Sequence, residues 1–204
     1  LNSIFATMQL SVIIVNYNVK NLLRDCLLSV QKAALKLDTE IIVVDNASSD
    51  GSVKMLQEEF KGVKLIANSK NVGFSTANNQ GIAQAKGQYI LILNPDTLVY
   101  EQTFNDCMKF CSENTNCGGI GVQMLDANSN FLKESKRGFP TPKDSLLRLS
   151  FLNRLFPKSA YFNGYYLGHL NKDENHKVDV LAGAFIWIKK SIVDEVNGLD
   201  EQFF

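Results

Sequence analysis

Leu10-Ser11-Val12-Ile13-Ile14-Val15, closed by Asn16-Tyr17-Asn18, is the stretch on which the fold turns. Its apolar residues follow one another instead of alternating with polar ones, and most are β-branched, so it reads as a strand covered on both faces. Strands of that kind belong to parallel sheets flanked by helices. Downstream, Leu23, Cys26, Leu27, Val30 and Ala34 fall at i, i+3, i+4, i+7 and i+11. That spacing lays one apolar stripe along a helix from about Asn21 to Leu35.

The pattern then repeats as strand Glu40–Val44, turn Asp45–Gly51, a helix to about Glu59, strand Val63–Ala67, a helix from about Ser75 to Ala85, and strand Tyr89–Leu93. Alternation at these lengths predicts right-handed βαβ units. The fold class is therefore α/β: one Rossmann-like domain with a mainly parallel central sheet, helices on both faces and a mixed second half. In that second half the pattern predicts a helix from about Gln102 to Glu113, a strand Gly119–Met124 and a hairpin around Asp126–Asn130. A short amphipathic helix within Ser145–Phe156, strands Val178–Val180 and Ala184–Ile188, and a last helix opened by a capping box at Ser191–Asp194 complete it. The organisation expected is an N-terminal extension (1–9), a ligand-binding half (10–100) and a second half (101–204).

Composition narrows the function classes. The chain has 204 residues, 45% hydrophobic and 21% charged, with 21 Lys+Arg against 21 Asp+Glu. A protein of this size hides roughly 70% of the surface its unfolded chain exposes, which sets aside disorder and small disulfide scaffolds. Zero net charge gives no global attraction to nucleic acid or anionic lipid, so either would have to be held by a local patch, and no nucleic-acid partner is expected. No apolar run approaches the roughly 18 residues that span a bilayer. Cys26, Cys107, Cys111 and Cys117 match no zinc-site spacing and are expected as reduced thiols in a cytoplasmic setting. Leu1–Thr7 lack a secretory pattern, and Met8, just ahead of the first strand, is the expected natural start.

The chemistry is expected at the strand ends. There is no glycine before Gly51, which excludes a GxGxxG loop after the first strand, and neither GxxxxGK[ST] nor GxSxG occurs. His169 and His176 fall in a polar loop and read as surface residues. Instead, Asn16-Tyr17-Asn18, Asp45-Asn46, Asn68 to Asn71 and Asn94-Pro95-Asp96 follow the four successive strands and converge on one sheet edge. One such turn means little, since Asn and Asp favour turns locally; four together make a site. A carboxylate such as Asp45 can accept the N–H of a uracil- or thymine-type base, Tyr17 can pack on its ring, and Asn16 can bond its polar edge. Asp96 offers a hard oxygen suited to Mg²⁺ or Mn²⁺ bridging a diphosphate.

Between Phe131 and Lys158 the charge balance tips. Lys133, Lys136, Arg137, Lys143, Arg148, Arg154 and Lys158 face only Glu134 and Asp144. Three readings stand open: a solvated face over a helix packed on the core, contact with a membrane surface, or contact with an anionic substrate.

The motifs SVIIVNYN (11–18), IIVVDNASSDGS (41–52), NVGFSTANNQGI (71–82) and GQYILILNPDT (87–97), in this order and spacing, resemble those of family 2 glycosyltransferases with the glycosyltransferase A fold. The likeness continues through FPTP, VDVLAGAFIWIKK and NGLDEQFF, and so covers nearly all of the chain from Leu10. It implies a hexosyltransferase-type enzyme (EC 2.4 class) with a nucleotide-sugar donor, a divalent metal, and inverting transfer to a saccharide or lipid-linked acceptor in polysaccharide synthesis. The halves 10–100 and 101–204 become donor and acceptor sides.

By the same resemblance Asp45 reads the base, Asn16 and Tyr17 line the nucleoside pocket, and Asn46 is a further donor-binding residue. Asn71, Gly73, Phe74 and Asn78, with Asn79 in the same motif, lie on the donor side; Asn94 and Asp96 form the metal motif; and Arg137, Gly183 and Ala184 lie on the acceptor side. The family writes its metal motif Asp-x-Asp. Asn94-Pro95-Asp96 is similar to the rhamnosyltransferase-like subgroup and favours a UDP- or dTDP-sugar. The family's general base follows the GxDExFF segment, so it is expected beyond Phe204, with Asp200 and Glu201 the nearest carboxylates in the chain. A chain ending at Phe204 is then expected to bind donor and transfer poorly. The alternatives are a degenerate nucleotide- or glycan-binding domain and a sugar nucleotidyltransferase, the latter opposed by the glycine-free stretch Asn16–Leu28. Cytoplasmic localisation, with peripheral contact at the inner face of the plasma membrane through 131–158, completes the expectation.

Overall fold

The computed structural model describes residues 8–202, so Leu1–Thr7 of the N-terminal extension lie outside the described residues. The opening apolar run forms β1 (Leu10–Asn16), with parallel neighbours on both sides: β2 (Thr39–Asp45), in register from Leu10↔Thr39 to Asn16↔Asp45, and β4 (Tyr89–Leu93), from Leu10↔Tyr89 to Ile14↔Leu93. With β3 (Lys64–Ala67), β5 (Gly119–Ile120) and β6 (Phe185–Lys189) the sheet has six strands in the order β3-β2-β1-β4-β6-β5, with β5 and β6 antiparallel. Val12, Ile13 and Ile14 have no exposed surface, as expected of a strand covered on both faces.

Helices α1 (Lys20–Ala33), α2 (Ser52–Glu59), α3 (Phe74–Ile82) and α4 (Thr103–Glu113) follow their strands in the anticipated places. The stripe of α1 buries Leu23, Cys26, Leu27 and Val30, and Ala33 takes the place foreseen for Ala34, which caps the helix. Cys107 and Cys111 are buried along α4, and all four cysteines are free thiols.

Four second-half elements differ from the pattern. The strand expected to reach Met124 stops at Ile120, and the hairpin that follows closes through a single bridge, Leu125 to Phe131. The helix expected within Ser145–Phe156 is broken into α5 (Pro142–Leu149) and α6 (Leu152–Leu155) because Phe151, at φ 59°, turns left-handed between them. Val178–Val180 contributes one bridge, Val180 to Arg137. The last helix, α7 (Lys190–Glu195), starts before Ser191 and has no side-chain cap: the Lys190 N–H is already bound to the Gln88 carbonyl at 2.9 Å, so strand passes directly into helix.

The chain divides into two units, Leu1–Ile120 with Ile186–Phe204, and Gly121–Phe185.

Candidate active site

In the first unit the chain steps from β1 to β2 to β3 on one side, then crosses to β4 on the other side of β1. The order reverses between β1 and β4, and the crevice beyond the carboxyl ends at such a reversal is where open α/β sheets hold ligands. Asn16 and Asp45, register partners on β1 and β2, are 0% and 1% exposed. Asn16 Nδ2 donates to Asp45 Oδ2 at 2.7 Å and to Ser48 Oγ at 3.0 Å, and the Ser48 N–H donates to Asp45 Oδ1 at 2.8 Å. Each oxygen of the buried carboxylate thus has a donor, as burial of a charge demands. The bonding of Asn16 corrects one expectation: both its amide hydrogens are spent inside the protein, and the group left over is Asn16 Oδ1, buried and without a partner. A ligand donor satisfies that oxygen; a second acceptor does not.

Around this pair stands a rim in which Ser48 and Asp50, which the sequence did not single out, join Tyr17 and Asn18. Ser48 Oγ also accepts from the Asn18 N–H at 2.9 Å, and Asn18 Oδ1 accepts from the Ser49 N–H at 2.8 Å, fixing the left-handed turn at Asn18 (φ 55°). Tyr17 is half-exposed beside it. Asp50 accepts from the Lys20 N–H at the start of α1 and from both the N–H and the hydroxyl of Ser52. Burial works against its charge, but these hydrogen bonds outweigh it and hold the carboxyl below its ordinary range. An Asp-x-x-Ser spacing from Asp45 to Ser48 is the signal that could have flagged Ser48.

The start of α3 supplies another wall. Gly73 has φ 85° and ψ 172°, a backbone region open essentially to glycine alone. Its N–H donates to Asn71 Oδ1 at 2.9 Å and its carbonyl accepts from Asn46 Nδ2 at 3.2 Å. Asn46 is held in turn by Asn68, which also bonds Gln80. Asn78, fully buried, donates to the Phe74 carbonyl at 2.9 Å and leaves Oδ1 unpartnered, while the Phe74 ring is largely exposed.

Asn79 turns elsewhere. Its amide accepts from the Leu199 N–H and donates to the Leu199 carbonyl and to Glu201 Oε1, all at 2.8 Å. A Cβ on Gly198 (φ 79°) would lie 2.5 Å from Asn79 Oδ1. Asn79 is therefore a clamp on the Leu199–Glu201 segment. Of the two carboxylates considered as bases, Glu201 is tied to this clamp, and Asp200 Oδ1 accepts from the Gln202 N–H at 2.9 Å.

Asp96 projects into solvent beyond β4, after the half-buried Asn94 and Pro95. The Asn94 carbonyl accepts from Cys26 Sγ at 3.6 Å. Burial, with the negative charge of Asp96 added to it, pushes the Cys26 thiol up to about 12. Among the described residues no cluster of three His, Cys, Asp or Glu side chains could hold a metal. One exposed carboxylate at the mouth of the crevice does fit Mg²⁺ or Mn²⁺ in the usual manner of those ions, which take one or two carboxylates and fill the rest with phosphate oxygens and water.

In the second unit, Arg137 is half-buried, bonds Val180 through its backbone and has its Nε buried without a partner. Gly183 is exposed, and an added Cβ there would meet nothing within 4 Å, so local packing does not require glycine. Ala184, next to it, is partly buried. His169 is exposed, and the His176 ring is bonded to the Asn171 carbonyl at 2.7 Å.

A parallel sheet with this strand order, and polar side chains gathered at its switch point, has the architecture of the glycosyltransferase A class. The chain belongs to glycosyl transferase family 2, whose family model matches residues 11–196. The N-acetylglucosaminyl-diphospho-decaprenol L-rhamnosyltransferase of Mycobacterium tuberculosis is 25% identical over 190 residues, covering 84% of this chain and 60% of the relative. The structure of Staphylococcus aureus TarS in complex with UDP superposes with a TM-score of 0.66 at 19% identity, covering 96% of this chain and 51% of TarS. That of the mannosyltransferase PcManGT from Pyrobaculum calidifontis, in complex with GDP-Man and Mn²⁺, gives 0.62 at 18% identity, covering 95% and 48%. The chain thus spans about half to six-tenths of the length of these relatives.

Proposed function

We propose that the chain binds a uridine- or deoxythymidine-diphosphate sugar across the carboxyl ends of β1, β2 and β4. It serves inverting transfer of that sugar to a hydroxyl of a saccharide or lipid-linked acceptor in cell-surface polysaccharide synthesis. The observation that carries this reading is the buried Asn16–Asp45 pair at the carboxyl ends of β1 and β2, next to the reversal between β1 and β4, with Asn16 Oδ1 unbonded. A uracil or thymine base presents one ring N–H, which one acceptor oxygen of this pair can take. Tyr17 and Phe74, both exposed, offer apolar rings to the nucleoside. The neighbouring structure solved with UDP supports a uridine donor.

A divalent ion, Mg²⁺ or Mn²⁺, would be held by Asp96, with Asn94 able to give a neutral oxygen. When bound it neutralises charge on the departing diphosphate. Asn46 and Asn71 hold Gly73, at the start of α3, through its carbonyl and its N–H. Inverting displacement also requires a general base for the acceptor hydroxyl. The engaged carboxylates of Asp200 and Glu201 are not assigned that role. The proposed setting is cytoplasmic, in keeping with four free cysteines.

Calorimetric titration with UDP, dTDP, GDP and ADP, with and without Mn²⁺, tests the donor site. UDP or dTDP is expected to bind, more tightly with Mn²⁺, and Asp96→Ala is expected to remove the metal-dependent part. Absence of all nucleotide binding by the folded protein would favour the degenerate-domain reading. A product that keeps the donor's anomeric configuration, read by NMR, would exclude inversion.

A further inference from the structure

The second unit contains a surface that the nucleotide-sugar reading does not use. A helix packed on a core would cover the apolar residues of 146–156, yet α5 buries Leu147 alone. Leu146, Leu149, Phe151 and Leu155 are 67%, 77%, 56% and 71% exposed. The left-handed corner at Phe151 joins α5 to α6 and interrupts a continuous helix there.

Lys143, Arg148, Arg154 and Lys158 are exposed on the same segment, and none forms an ion pair among the described residues. Lys143 Nζ lies 4.5 Å above the exposed Tyr161 ring, and the Arg154 guanidinium 5.0 Å from that of Phe151. Asp144, the acidic residue of this stretch, is engaged at the cap of α5: its carboxylate accepts from the Thr141 hydroxyl, and its backbone N–H donates to the same hydroxyl oxygen.

Exposed leucines and rings interleaved with free cations are the chemistry of an interfacial helix: apolar groups enter the headgroup and acyl boundary while cations meet anionic headgroups. Four unpaired cations against one engaged carboxylate complement an anionic surface, and a small anionic substrate would have no use for the leucines. No described helix is long and apolar enough to cross a membrane, so such contact lies in the plane of the surface. We propose that the α5–α6 surface docks on an anionic lipid bilayer. This inference stands independently of the donor site.

Co-sedimentation of the whole chain with vesicles of phosphatidylcholine alone, and of phosphatidylcholine and phosphatidylglycerol in equal parts, tests it. Binding is expected to the mixed vesicles and to weaken with salt. Arg148→Glu with Arg154→Glu, and separately Leu149→Ser with Leu155→Ser, are each expected to lower the partition coefficient roughly tenfold or more. Far-ultraviolet circular dichroism reports that the variants keep their helices, Trp187, fully buried in β6, reports by its fluorescence that the first unit stays folded, and UDP titration of the same proteins is expected to be unchanged. No binding to mixed vesicles, or binding indifferent to both pairs, overturns the proposal. A dimer in size-exclusion chromatography that Leu149→Ser with Leu155→Ser makes monomeric, without vesicle binding, reassigns the surface to a second copy. Loss of UDP binding with vesicle binding intact sinks the donor-site reading alone.

Discussion

The two units treat polar and apolar side chains in opposite ways. In the first, Asn16, Asp45, Asn46 and Asn78 are buried and bonded among themselves or to backbone, and the leucines and isoleucines of β1, β2 and β4 are hidden from water. In the second, leucines and phenylalanines stand in solvent beside free cations. Closely packed parallel strands hide both faces, so any polar residue at their ends must find partners, and that preorganises a site. Two short helices joined by a corner bury little, so their surface is defined by what it shows. One region pairs its buried polar groups and hides its apolar ones, and the other leaves both in solvent.

The sharpest way to break this contrast is to cut the same side chain in both places. Leu91→Ala, in the centre of β4, is expected to lower unfolding free energy by roughly 2–5 kcal/mol in urea denaturation. Leu149→Ala is expected to change it by no more than about 0.5 kcal/mol. Equal costs would mean that the α5–α6 surface is covered after all.

A smaller effect is expected at Asn79, which ties the first unit's last segment to α3. Asn79→Ala removes three hydrogen bonds and is expected to cost about 1–3 kcal/mol. The Leu199 amide should then exchange with deuterium much faster while the β1 amides keep their protection. Unchanged exchange at Leu199 would show that the clamp does not hold the segment.

The smallest effect is confined to the first unit by composition, since all four cysteines lie there. Burial pushes the Cys26 and Cys107 thiols up to about 12. Below the ordinary thiol value near 9.0 both folded and unfolded chains keep these protons, so neither residue makes stability depend on pH. From there toward 12 the unfolded chain ionises while the folded one resists, and stability should fall. Alkylation of the native protein at mildly alkaline pH should modify the half-buried Cys117 and spare Cys26 and Cys107; early labelling of Cys26 would show that the crevice wall opens.

Much of the first unit was legible because each residue's role followed from near neighbours in sequence. The β-branched run of β1 and the stripe of α1 state their environment by period alone, and Tyr89–Leu93 is a strand with the bounds its pattern gives. The second unit was less legible. Nothing local in Leu146–Phe156 announces the left-handed turn at Phe151, and the apolar content that promised a packed helix is exposed instead. The site shows the same divide: Asp45 and Asp96 stand out at strand ends, whereas Ser48 and Asp50 matter through the partners they meet from β1 and α1.

The amino-acid sequence by itself determined the alternation of strands and helices, the sheet edge on which the polar clusters gather, and, through its motifs, the family. These follow from periodicity and turn chemistry, which act over a few residues. Only the tertiary structure decided that Asn16 spends its amide on Asp45, that Asn79 holds Leu199 and Glu201 from 120 and 122 residues away, and that the leucines of α5 and α6 face outward. Hydrogen-bond partnership and burial depend on which distant segments the packed chain brings together, and no local pattern encodes that.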